Sequence, residues 1–159
     1  MKYWYVLNTK PKKESQVERL FEEAGYEVYN PKIRQDDRIT PFFAGYAFIR
    51  FEFPEDYRLV KYTRGVKKVV GSPASPTHIP EEVIEAIRSR EVNGLIEFDK
   101  YGEEPSVGDE IQIMEGPLKG LKGIFKREMT HNERVLILLN YVSYQGKLIV
   151  EKKKLRKVL

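Results

Sequence analysis

Residues 134–141 read RVLILLNY, and what this run becomes decides the shape of the second half of the chain. As a strand it sends Val135, Ile137 and Leu139 to one face and Leu136 and Leu138 to the other. Both faces are then apolar, whereas a small barrel has only one interior. As a helix it gathers Val135, Leu138, Leu139, Val142 and Ile149 into one stripe. The neighbouring runs DEIQIM, LKGIFK, KLIVEK and LRKV are short, strand-like and separated by Gly-containing turns, the pattern of a small five-stranded barrel. Gly116, Pro117, Gly120, Gly123 and Gly146 weigh against a helix. An interior glycine costs up to about 1 kcal/mol and a proline about 3, and the β-branched residues add to this. The barrel is the expected intrinsic fold of residues 106–159, and at about 55 residues it is marginal on its own.

Upstream, NGLIEFDKYGEEPS carries neither the helical nor the strand period and is rich in Gly, Pro and acids, so residues 94–105 read as a linker. Residues 1–93 alternate strands and helices. Trp4 to Leu7 is a strand, and ESQVERLFEEAG is a helix with Val17, Leu20, Phe21 and Ala24 on one face and Gly25 as its stop. YEVYNPKI, GYAFIRFEF and RGVKKVVG read as further strands, QDDRIT as a polar loop, and IPEEVIEAIRSRE as a helix opened by Pro80. The expected class is α+β, one sheet with helices packed against it.

The most aromatic stretch, ITPFFAGYAFIRF at 39–51, holds five aromatic residues. By strand parity Ala47, Ile49, Phe51 and Phe53 face a core, while Tyr46, Phe48, Arg50 and Glu52 face away, aromatic at one end and charged at the other. An exposed aromatic patch marks a partner site. The alternative is that a linker, a helix or the C-terminal module covers Tyr46 and Phe48.

Taken in order, WYVL, PFFAGYAFIRF, TRGV at 63–66, the helix after IPEE, and VGDEIQIMEGPLKGLKGIF resemble the NusG family of transcription elongation factors. That family joins an N-terminal NGN domain, a sandwich of antiparallel sheet and flanking helices, to a C-terminal KOW barrel. Ala44 stands where the family usually has proline, which bears on the local turn. The resemblance implies a docking face for the clamp helices of RNA polymerase, a helix-in-groove contact. Phe43, Tyr46, Phe48, Val69, Val70, Ile84 and Ile87 fall at matching positions. It further implies an elongation and antitermination factor that suppresses pausing or termination and is monomeric. The KOW domain would recruit a second partner, such as a small-subunit ribosomal protein or the termination factor Rho.

RVLILLNY is most similar to the specialised RfaH-like paralogues, whose KOW segment can also form a helical hairpin packed on the NGN domain. Phe125, Leu136, Leu138, Leu139 and Val142 are then the expected interdomain or partner face. In those paralogues the corner matching Lys10, Lys12, Lys13, Gln16 and Arg64 contacts the non-template DNA strand, and nascent RNA is the other candidate ligand. Lysine and arginine suit phosphate and base-edge contact.

Composition agrees with a nucleic-acid-associated factor. Residues 1–104 hold 17 Lys and Arg against 18 Asp and Glu, and residues 105–159 hold 11 against 6. The positive charge is therefore local, as expected of polyanion contact. A basic tail, EKKKLRKVL, and the occurrence of KOW modules in ribosomal proteins keep open a second reading, a ribosome-associated RNA-binding protein. With no cysteine there is no disulfide or thiolate site. No run approaches the roughly 18 apolar residues of a membrane span. MKYWYVLNTKPKK does not have the order of a signal peptide, so the expected location is cytoplasmic. His78 and His131 lack ligand or general-base neighbours at suitable spacing, and no phosphate-binding motif occurs. The expected protein is not an enzyme and holds no cofactor or metal.

Overall fold

The computed structural model describes residues 1–98, 121–125 and 130–158, with side chains described as far as residue 148. Its centre is an antiparallel sheet in the order β2 (Glu27–Tyr29), β5 (Tyr46–Glu52), β1 (Lys2–Thr9), β6 (Val66–Val69), with the short β9 (His78–Ile79) also paired to β1. Three two-residue or four-residue hairpin pairs project from it: β3 (Lys32–Gln35) with β4 (Arg38–Pro41), β7 (Gly71–Ser72) with β8 (Ser75–Pro76), and β10 (Glu91–Val92) with β11 (Leu95–Ile96). The helices are α1 (Glu14–Glu23), α2 (Tyr57–Lys61), α3 (Glu81–Arg88) and α4 (His131–Val158), and a 3-10 turn spans Lys122–Phe125.

Register sorts the side chains. β1 pairs with β5 so that Tyr5 lies opposite Ile49 and Val6 opposite Phe48. Tyr5, Leu7, Ile49 and Phe51 therefore share one face, which Val17 and Phe21 of α1 and Val60 of α2 cover. Trp4, Val6 and Phe48 share the other, which Ile84 and Ile87 of α3 cover together with Leu121, Ile124, Phe125, Leu138, Tyr141 and Val142. The alternation expected along β5 holds, and both faces are buried.

RVLILLNY lies within α4, not in a strand, and so do KLIVEK and LRKV; LKGIFK contributes the 3-10 turn. Residues 131–158 thus form no part of a five-stranded barrel in this state, and DEIQIM lies outside the described residues. The helical alternative fits in part: a single helix is described rather than a hairpin, and the buried positions of α4, Arg134, Leu138, Tyr141 and Val142, recur at helical spacing and face the sheet. Its start is capped: the Glu133 amide donates to the Thr130 hydroxyl at 3.2 Å, and that hydroxyl donates to the Glu133 carboxylate at 3.2 Å. This T-x-x-E pattern offsets part of the cost of the glycine and β-branched residues. Gly146 has a use as well, since a Cβ there would lie 3.0 Å from the Thr77 hydroxyl. Its lack of a side chain lets α4 sit close to the loop before β9.

Three smaller expectations change. YEVYNPKI is split between β2 and β3, which belong to different sheets. QDDRIT is no loop: Gln35 ends β3, Arg38, Ile39 and Thr40 lie in β4, and Asp36 and Asp37 form the turn between them, both at positive φ (52° and 61°), which aspartate tolerates better than most residues. The stretch read as the start of the linker at 94 instead completes a hairpin through Asn93 and Gly94 (φ 54° and 81°), and Ile96 is buried in the core. Residues 99–105 lie outside the described residues.

Candidate functional site

The face under α4 is built around the PFFAGY turn. The Tyr46 amide donates to the Phe43 carbonyl at 3.0 Å, with Gly45 at φ 84° in the third position, where a type II turn needs a residue free to adopt positive φ. Ala44 occupies the second position and the turn forms without the proline. The turn is anchored on both sides: Thr9 N–H donates to Gly45 O at 2.8 Å, and Gly45 N–H donates to the buried Glu14 carboxylate at 2.8 Å. Phe42 and Phe43 are thereby turned inward. Phe43 meets Phe42 edge to face at 5.0 Å and Phe48 at 5.9 Å, and Phe48 stacks on Tyr29 at 6.2 Å. Cations frame this aromatic floor. Arg88 lies 4.8 Å from the Tyr29 ring and 5.6 Å from Trp4, while Arg90 lies 4.9 Å from Phe125, itself stacked on Phe42 at 6.0 Å. Tyr29 donates to Glu91 at 3.0 Å; burial, then that carboxylate, raise its pKa far above the ordinary phenol value.

The expected docking residues divide. Phe43, Phe48, Ile84 and Ile87 are buried in this cluster, and Tyr46 and Val70 pack against it half-buried. Val69 does not join them. It lies opposite Leu7 and belongs to the α1 face, because adjacent strand residues cannot both face the same way. Of the expected C-terminal face, Phe125, Leu138 and Val142 are buried on the floor, Leu139 is half-buried, and Leu136 points to solvent at 60% exposure. Tyr141 takes the place given to Leu136; burial pushes its phenol up to about 12. Arg134 was also missed as a contact, because nothing in a sequence marks a lone arginine as buried.

Beside this turn Lys10, Lys12, Lys13 and Arg64 are exposed and Gln16 is half-exposed. The Lys10 amide donates to the Gly65 carbonyl at 2.8 Å, which joins the two loops that carry them. Gly65 sits at φ 94° with Val17 only 2.8 Å from where a Cβ would be, so the junction admits no side chain. Lys67 and Lys68 on β6 extend the exposed basic surface. Among the described residues, no helix is long and apolar enough to cross a membrane.

Residues 2–88, more than half of the chain, match the family described as transcription termination factor nusG. A solved structure of Thermotoga maritima NusG, concerned with its domain interaction, is similar at 24% identity with a TM-score of 0.41. The match covers 52% of this chain and 52% of that one, so the likeness spans about half of that protein. No curated protein matches the chain. From the match over the sheet, α1 and α3, the chain belongs to the NusG family of transcription factors.

Proposed function

We propose that this protein is a non-catalytic transcription elongation and antitermination factor. It docks on the clamp helices of RNA polymerase through the face that α4 covers here, so this structure is its closed, self-masked form. One observation carries the reading: the aromatic floor of the sheet is sealed by a helix that begins at residue 131, far in sequence from the strands it covers. A detachable helix in an aromatic groove reproduces the contact that a partner helix would make. Released from the face, the C-terminal segment becomes available to refold as the KOW barrel and recruit a ribosomal protein or Rho. Such switching requires two packings within a few kcal/mol of each other.

The test is capture of core RNA polymerase by wild type, by Leu138→Asp, which unseats α4, and by Leu138→Asp with Tyr46→Ala. Strong capture by the second protein, weak capture by the first and loss in the third are expected. Equal capture by all three rejects the docking face, and co-purification of ribosomal particles in place of polymerase favours the ribosome-associated reading. A second contact, with non-template DNA or nascent RNA, is supported by the joining of the Lys10 and Arg64 loops. Lys12→Ala with Arg64→Ala is expected to weaken oligonucleotide binding and flatten its salt dependence.

A further inference from the structure

We propose that the seat beneath α4 contains a guanidinium subsite, formed by the carbonyl oxygen and ring face of Phe42, and that the helix replacing α4 there carries an arginine one turn ahead of its apolar anchors. This rests on the docking reading above. Its starting point is Arg134, whose exposure is 0%. An arginine is almost never fully buried unless its charge and donors are received. Here its Nε–H donates to the Phe42 carbonyl at 2.7 Å, its guanidinium lies 4.6 Å from the Phe42 ring centre, and its Nη2 donates to His131 Nδ1 at 2.9 Å.

These two receiving groups differ in ownership. His131 belongs to α4 and leaves with it. Phe42 belongs to the N-terminal domain and is held there by its own amide, which donates to the Pro31 carbonyl at 2.7 Å, and by its edge-to-face contact with Phe43. The carbonyl and ring therefore keep their mutual arrangement when α4 departs. A planar fork that stacks on a ring while donating in its own plane matches this pair, whereas the compact ammonium of lysine has no flat face to lay on the ring. Leu138, Tyr141 and Val142 follow Arg134 at four, seven and eight positions, so the groove reads a helix of the pattern Arg at i with apolar residues at i+4, i+7 and i+8. A helix lacking the arginine would leave the Phe42 carbonyl without its Nε–H donor and the Phe42 ring without its cation.

The test uses the full chain carrying Arg134→Ala and Leu138→Ala, which weakens its own α4, and stapled helical peptides of residues 130–148. One peptide keeps arginine at position 134 and the other carries norleucine, a straight apolar chain with neither charge nor N–H. Trp4, the single tryptophan, lies in the covered cluster and reports occupancy by its emission. The arginine peptide is expected to bind at least tenfold more tightly than the norleucine peptide, and Phe42→Leu in the protein is expected to reduce that ratio while preserving norleucine-peptide binding. Binding of the two peptides within twofold of each other, or failure of the arginine peptide to bind, overturns the subsite. Polymerase capture by the same protein is scored separately. Capture without arginine preference rejects the subsite alone, and arginine preference without capture rejects the docking reading alone.

Discussion

The two faces of the central sheet are equally buried but covered in different ways. One is closed by α1 and α2, which follow directly from the strands they cover and share their loops. The other is closed by α3 and then by segments beyond residue 120. The first face is sealed by helices interleaved with its strands, whereas the second is completed by α4, which follows every described strand in sequence. The domain thus carries a large aromatic floor without exposing it.

The largest expected effect belongs to the first face. Phe21→Ala removes a wholly buried ring between α1 and the sheet, and about 3 to 5 kcal/mol of stability with it. Thermal or urea unfolding should shift as one cooperative transition. Leu138→Ala on the second face should cost about 3 kcal/mol, but the loss should appear as release of α4. The expected signature is a red-shifted Trp4 emission with hydrogen-exchange protection of β1 and β5 amides retained. If those amides lose protection in step with α4, the two faces form one unit and the contrast fails.

Gly146→Val sets a branched side chain against Thr77 and should loosen α4 by about 1 to 2 kcal/mol. Adding Thr77→Gly should recover part of that, read by the same Trp4 signal. Thr130→Ala removes the cap of α4 at a cost of about 1 kcal/mol, seen as faster exchange confined to the first turn.

The smallest effect is that of pH. The His131 ring is held below its ordinary pKa by burial and then by the Arg134 guanidinium, with the Phe42 carbonyl and the Glu14 carboxylate pulling the other way. Released, the ring takes up a proton more readily than it does in place. The closed form therefore keeps its full stability above about pH 6.5, the ordinary histidine value, and loses it as pH falls below that. Trp4 emission should report α4 loosening with acid, and His131→Gln should flatten the response.

Much of the first face was legible because its signals are local. The 3.6-residue spacing of Val17, Leu20 and Phe21 and the alternation along GYAFIRF each need only a few neighbours to be read. Some signals were present and passed over. Thr130 to Glu133 is a capping box directly before an apolar run, Asn93-Gly94 is a hairpin turn, and strand parity separates Val69 from Val70. The burial of Arg134 had no such signal, since it depends on a carbonyl and a ring 92 residues away.

By itself the sequence determined β1, β5, β6, α1 and α3 of the first 93 residues, the two-faced character of β5, the family, and the fact that RVLILLNY must bury apolar surface. It could not choose the geometry of that burial, because strand and helix both satisfy it and a helix of this composition is not stable alone in water. Tertiary structure made the choice: Phe42, Phe43 and Phe48 form a groove that accepts one helical stripe with an arginine at its head, and packing against it supplies the free energy that local propensity lacks.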